Sequence, residues 1–399
     1  MNELKGKRVL FFVPENNVEI NAIYSSQVGA LAKYAASLGA ECLVFQAGTL
    51  DSARSYDLAP GVHVLNDLSL RRRVVFFKVS GLYRELAKEH EKELAGFCPT
   101  HIYTRNHYVC RGALELAKIT GAKLIFSVRG PAAEERINCG GLKNWIVGHV
   151  ERFIEDSAIR NCDVLSTLSH QYEKYLGETY RRNVTGVIPC CVAERFFEPI
   201  SAERRDILRA ELGFSNEDRV IVWSGSFAHW QRLDDVIEFV KTICEQDNRY
   251  RVLFLVNKVD PIKALCAKKN FGKKWWRIKS CLSSEMPEHL QLANIGINFQ
   301  WPSTLHSRTC SPIKVPEYLA SGLPVIVTHV MGDLPDLICR EGVGYVLTVD
   351  RPLENPCEIL DQLIRISPEK ARDCARRHFT WTGNKGEVVR LFGGAIMGK

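Results

Sequence analysis

Lys314 and Glu317 are the residues best placed to do chemistry, because they stand three apart at what reads as the beginning of a helix. The surrounding stretch, residues 311 to 328, runs SPIKVPEYLASGLPVIVT. Ser311 and Pro312 favour a loop. Val315 to Ala320 reads as a helix that Ser321 and Gly322 stop, and Pro324 to Val327 reads as an apolar strand. The first amides of a helix have no intrahelical acceptor, and the aligned peptide dipoles place about half a positive charge there. An anion such as a diphosphate suits that position. Lys314 would add a full charge, and the Glu317 carboxylate, one turn further in, could accept two hydrogen bonds from a ribose diol. An ordinary α/β core with both side chains solvated is the alternative.

Such a device needs sheets to position it, and the pattern supplies two series. The first comprises strands at Arg8–Val13, Glu41–Gln46, His101–Thr104, Lys123–Val128, Asp163–Leu168 and Thr185–Pro189. They alternate with helices at Ser25–Leu38, Leu82–Leu94, Gly112–Thr120, around Val147–Arg160, and at His170–Leu176. The second has strands at Arg219–Trp223, Tyr250–Val256, Ile295–Phe299 and Pro324–Val327, with helices at Leu233–Glu245 and Pro287–Leu292. Short apolar runs alternating with helices mark parallel sheets. The expected organisation is an α/β chain of two Rossmann-like domains, 1–192 and 193–375, with a hinge near 192–200. A final helix over 376–399 is placed to return to the first domain, and a ligand is expected in a cleft between the two.

At 399 residues the chain exceeds what one core usually serves. Its 46% hydrophobic and 25% charged residues exclude a mostly disordered chain. The polar start Met1–Lys7 is unlike a signal peptide, and no window approaches the ~20 apolar residues of a spanning helix. Fourteen scattered cysteines without a Cys-x-x-Cys pair read as reduced thiols of a cytoplasmic protein. The net charge of +7 is too small, and recognition motifs too absent, for nucleic-acid binding. Arg71–Arg73 before Val74–Phe77, and Lys268, Lys269, Lys273, Lys274, Trp275, Trp276, Arg277 and Lys279, mix cations with apolar residues. That mixture suits peripheral contact with an anionic membrane face, and a solvated surface anchored by its Trp residues accounts for it equally well.

The order of these elements, together with SPIKVPEYLASGLPVI, FSVRGPAAEERI, VIPCCVAERFF, VIVWSGSFAHWQRLDDVIEF and EMPEHLQLANIGINF, resembles the GT-B-fold glycosyltransferases, specifically the retaining enzymes of glycosyltransferase family 4. The likeness spans nearly the whole chain, and its donor helix is similar to the Ser-Pro-x-Lys-x-x-Glu variant. It implies transfer of a hexosyl or N-acetylhexosaminyl group from a nucleotide-diphosphate sugar, a UDP-sugar rather than a GDP-sugar. The acceptor would be a hydroxyl of a glycan or lipid-linked molecule, as in cell-surface polysaccharide or lipopolysaccharide biosynthesis. On that reading Glu317 takes the ribose, while amides from Ile313 onward, with Ser311 and Lys314, take the diphosphate. The small turn Ser224–Gly225–Ser226 lets backbone approach the phosphates. Arg129 and Glu135 sit on the first-domain loop facing the sugar and join Lys314 as catalytic candidates, although relatives often carry His at Arg129. Arg105 is a further cation, equally readable as half of a structural ion pair. The acceptor region is expected at Pro14–Tyr24 and Asn138–Trp145.

Three departures stand out. Thr309 occupies the first position of the family's usual carboxylate pair, and Ser226 and Gln231 replace the usual Arg and Lys after the donor-domain turn. Arg232, Arg308 or Lys258 is expected to supply the missing charge. The chain has no Asp-x-Asp, and its His residues lack metal-ligand spacing, so transfer without a metal or other cofactor is expected. A nucleotide-sugar epimerase and a non-catalytic nucleotide-sugar-binding subunit are the competing readings.

Overall fold

The structure, a computed structural model, describes residues 2–48, 53–67, 79–225, 231–300, 304–348 and 353–393. Ser226, Arg71–Arg73 and the run 74–77 lie outside the described residues. The chain divides into two compact units, one comprising Met1–Cys191 with Trp381–Lys399, the other Val192–Thr380.

In the first unit eight strands form one sheet: β1 (Arg8–Val13), β2 (Glu41–Ala47), β3 (Ser55–Ala59), β4 (Val62–Asp67), β5 (His101–Thr104), β6 (Lys123–Ser127), β7 (Val164–Thr167) and β8 (Gly186–Val187). Their order is β3-β4-β2-β1-β5-β6-β7-β8, parallel throughout except for the β3–β4 pair. The interior strands are continuously buried runs, RVLFFV in β1 and HIYT in β5. Such runs need cover on both faces, and two hydrophobic clusters supply it. The helix His107–Thr120 begins where Asn106 accepts the Tyr108 N–H at 2.9 Å and ends at Gly121 in the left-handed region.

The chain's last helix, Lys385–Gly393, belongs to this unit. Phe392 is buried beside Phe11, and the Glu387 carboxylate accepts the Val187 N–H at 3.2 Å. Trp381 donates its indole N–H to the Ser26 carbonyl at 3.1 Å. The sequence expectation of one helix over 376–399 needs correcting, because residues 376–378 complete the preceding helix Pro368–His378.

The second unit is a six-stranded, all-parallel sheet: β9 (Arg219–Gly225), β10 (Tyr250–Val256), β11 (Trp276–Ser280), β12 (Ile295–Asn298), β13 (Val325–Thr328) and β14 (Gly344–Leu347). The order β11-β10-β9-β12-β13-β14 reverses direction between β9 and β12, and the carboxyl ends of strands flanking such a reversal line a ligand crevice. Helices Leu233–Gln246 and Pro356–Ile364 pack on one face; Lys314–Ala320 and Pro368–His378 pack on the other. No disulfide joins the fourteen cysteines among the described residues, and most of them are buried.

Candidate functional site

The second-unit site is built on a tie between a helix and a strand end. Helix Lys314–Ala320 buries Val315, Tyr318, Leu319 and Ala320 against the sheet. The Tyr318 hydroxyl accepts the Ser224 N–H at 2.8 Å and lies 2.9 Å from the Ser224 hydroxyl, at the carboxyl end of β9. Gly296 on β12 makes room for this, since a β-carbon there would stand 2.5 Å from the Tyr318 ring. Tyr318→Phe would strand the buried Ser224 amide, a loss of about 1–3 kcal/mol. Urea unfolding should show a destabilisation of that size, without a change in slope.

With the helix fixed, its first turn brings Lys314 under the same strand end. The ammonium donates to the Gln231 side-chain carbonyl and sits 4.8 Å from the centre of the buried Trp223 ring. A β-carbon at Gly225 would collide with both the Lys314 Nζ and the Gln231 oxygen, so the lysine occupies space that only glycine leaves open. Burial lowers the Lys314 pKa to about 7, with the Glu317 charge opposing the shift. Glu317 is half-buried and accepts no hydrogen bond among the described residues. Burial raises its carboxyl to about 7, opposed by the charges of Lys314 and then Arg195. A half-buried carboxylate with two open acceptor oxygens is matched to a donor pair such as a vicinal diol.

The remaining second-unit candidates are placed as follows. Ser311 is buried, and Ile313 opens the helix with no side-chain cap. Arg232 adopts a left-handed conformation, and its guanidinium turns back to Asp235 at 2.5 Å, so its charge is locally compensated. Arg308 and Lys258 are exposed. Thr309 is buried and donates its hydroxyl proton to the Leu305 carbonyl at 2.7 Å, within its own short helix. Arg195 lies in the 3-10 turn Glu194–Phe197 and donates to the Ser283 hydroxyl at 3.0 Å. Sequence reasoning missed Arg195, Trp223 and Tyr318 as members of this site. The only signal was their presence in the segments VIPCCVAERFF, VIVWSG and PEYLA.

In the first unit, Arg129 follows β6 and donates to the Gln27 side-chain oxygen at 3.2 Å and to the Cys190 sulfur at 3.4 Å. Glu135 lies in the helix Ala132–Asn138, whose first amide, that of Ala132, is bound by the buried Glu155 at 3.2 Å. Burial raises Glu155 to about 7. Glu155 therefore steadies the turn that carries Arg129, and nothing local in the sequence announces it. Arg105 forms no ion pair within 4 Å among the described residues, although its charge acts on Glu15; its guanidinium stacks 5.0 Å from the centre of the Tyr24 ring. Among the described residues no three His, Cys, Asp or Glu side chains group to hold a metal.

Residues 204–378, within the second unit, match the family model described as Glycosyl transferases group 1. Across its length the chain has the GT-B fold of solved glycosyltransferases. Sucrose-phosphate synthase from Thermosynechococcus elongatus superposes with a TM-score of 0.73 at 15% identity, over 98% of this chain and 100% of that one. Anabaena HepE, solved with UDP-glucose, gives 0.68 at 11% identity over 97% and 100%. WaaG, a glycosyltransferase involved in lipopolysaccharide biosynthesis, gives 0.67 at 14% over 97% and 100%. No curated protein matches the chain by sequence.

Proposed function

We propose that the protein is a retaining glycosyltransferase that moves a hexosyl or N-acetylhexosaminyl group from a UDP-sugar to a hydroxyl of a glycan or lipid-linked acceptor. The observation that carries this reading is the grouping of Lys314, Gly225 and the unsatisfied Glu317 at the β9 strand end, inside the stretch that matches the glycosyl transferase model. The bond between the anomeric carbon and the diphosphate breaks, the acceptor oxygen bonds to that carbon, and the acceptor proton leaves with the diphosphate. Negative charge grows on the leaving diphosphate, and Lys314 with the amides from Ile313 would stabilise it. Ser311, Ser224, Gly225, Ser226 and Arg232 complete the proposed donor site. Arg129, a permanent cation and hence a poor base, would stabilise charge, and Glu135, on the helix that follows, is the other first-unit candidate. UDP is favoured by the UDP-glucose complex of HepE. A thermal-shift screen of UDP, GDP, ADP and CMP with their sugar conjugates tests the reading. A selective rise for UDP and its sugars, absent in Glu317→Ala, is expected; silence towards every nucleotide would favour a non-catalytic role.

Peripheral contact with the cytoplasmic membrane face belongs to the same proposal, and its support has moved along the chain. Trp275 and Trp276 pack against the second-unit core, and Lys274 lies over the Trp275 ring, which supports the anchored, solvated reading of the Lys268–Lys279 cluster. Helix Leu142–Asn161 instead turns Leu142, Trp145, Ile146, Val150 and Phe153 outward at spacings of three and four, each 49–77% exposed. Lys143, Arg152 and Arg160 lie on the same helix. An apolar stripe with cations beside it suits a lipid interface. No helix among the described residues is long and apolar enough to cross a membrane. Val150→Asp with Phe153→Asp should cut co-sedimentation with anionic vesicles at least tenfold while leaving the melting temperature unchanged.

A further inference from the structure

Three strand ends of the first unit converge on a group of side chains whose charges do not balance. Glu15 follows β1, Arg105 follows β5 and Arg129 follows β6; β1 and β5 flank the point where the first sheet reverses its strand order. Such a reversal is where an open α/β sheet offers a crevice. The two guanidiniums are close enough for the charge of Arg129 to oppose that of Arg105, and burial opposes it more strongly. The Arg105 Nη1, the Arg129 Nε and the Glu15 Oε2 are buried atoms without a hydrogen-bond partner. Glu15, a single carboxylate, offsets at most one of the two charges. Its other oxygen accepts the Tyr24 hydroxyl at 2.6 Å, and burial raises the carboxyl to about 7 against that hydrogen bond and the Arg105 charge.

Like charges with buried, unpartnered donors are costly, and an anionic ligand would offset that cost. The framework around this pair is fixed. The Gln27 amide donates to the Ser26 hydroxyl at 3.2 Å and to the Cys191 carbonyl at 2.5 Å, while its oxygen accepts from the Cys191 N–H and from Arg129. Gln27 lies in a π-helical turn, Ser25–Gly29, a distortion frequent at functional sites. Tyr24 closes the other side by stacking on Arg105. Arg105 also stands directly before Asn106, the N-cap of the helix His107–Thr120, whose positive end adds to the field.

We propose that Arg105 and Arg129 form a binding site for an oxyanion carried by the sugar or the acceptor, a phosphate monoester or a carboxylate. Planar guanidiniums pair with either group through two parallel hydrogen bonds, and two of them match a dianion. The inference rests on the transferase reading and narrows its substrate to an anionic one.

The test uses the full chain carrying Lys314→Met, which removes the second-unit ammonium from competition, and measures calorimetric binding of glucose 6-phosphate, glucuronate and glucose. At least one anionic sugar should bind ten times more tightly than glucose, and which one does so separates phosphate from carboxylate. Arg105→Gln or Arg129→Gln should erase that preference, and Arg105→Lys, which keeps the charge and guards against misfolding, should restore part of it. Equal binding of all three sugars, or a preference that survives both Gln substitutions, overturns the proposal. UDP binding by the otherwise unaltered protein is scored separately. If it persists while the anion preference is absent, only this inference falls; if it is absent, the transferase reading falls first.

Discussion

Glu317→Ala is expected to abolish nucleotide binding while leaving the unliganded protein as stable as before, or more so. Two charge-assisted hydrogen bonds from a ribose diol contribute about 1.5–3 kcal/mol each, and about 1.4 kcal/mol is tenfold in affinity. The dissociation constant for UDP should therefore rise by about a hundredfold or more. Stability should move the other way, because the carboxyl is half-buried, accepts no hydrogen bond among the described residues, and is raised to about 7 by that burial. A group whose folded pKa lies above its unfolded value destabilises the fold increasingly as pH rises from the unfolded value through the folded one. Removing it should relieve that cost at pH 8. Calorimetry with UDP and a ligand-free melt at pH 8 measure the two effects; a large drop in melting temperature would make Glu317 a structural residue.

Lys314→Met should lower the rate of transfer by about 10²–10³-fold, the usual consequence of removing one group aimed at developing negative charge. Methionine keeps most of the apolar stem over Trp223, so folding should be spared. The unaltered lysine also predicts a pH signature. Its free-state pKa is depressed to about 7 by burial, and a bound diphosphate would raise it again. Between those two values binding takes up a proton, so affinity falls as pH rises above 7. Glu317 works oppositely, releasing a proton on binding below about pH 7, and is already ionised at pH 8. Calorimetry at pH 8 in two buffers of different ionisation enthalpy should show uptake approaching one proton, absent in Lys314→Met. No uptake in the unaltered protein would mean that the ammonium does not meet the diphosphate.

The interior strands were legible because both faces are buried: RVLFFV and YRVLFLV cannot sit elsewhere in a water-soluble core. Four others were not. SYDLA, WRIKS and GYVL lie at sheet edges and VHVLND next to one; they are half-exposed or carry polar residues, and their pairing is set by neighbours already in place. WRIKS instead read as part of a basic surface cluster. The same split applies to the site. Lys314 and Glu317 share one turn of helix, so spacing exposed them. The Tyr318–Ser224 contact joins residues 94 positions apart and the Lys314–Gln231 contact 83, distances at which only the sheet register brings partners together. Gln231 illustrates the point. As a sequence feature it is a missing cation; in the fold it is the group that holds the remaining one.

Both ends of the chain contribute to the first unit, with 192–380 inserted between them. The second unit is therefore contiguous, and all of its residues are made before Trp381. The first unit must wait, with the apolar faces around Phe11 and the β8 edge uncovered until Trp381, Glu387 and Phe392 have emerged. A chain truncated before residue 381 would keep the whole second unit but leave the apolar faces of the first open, and should aggregate. The helix Lys385–Gly393 thus decides when the first unit can close, however early the second is made.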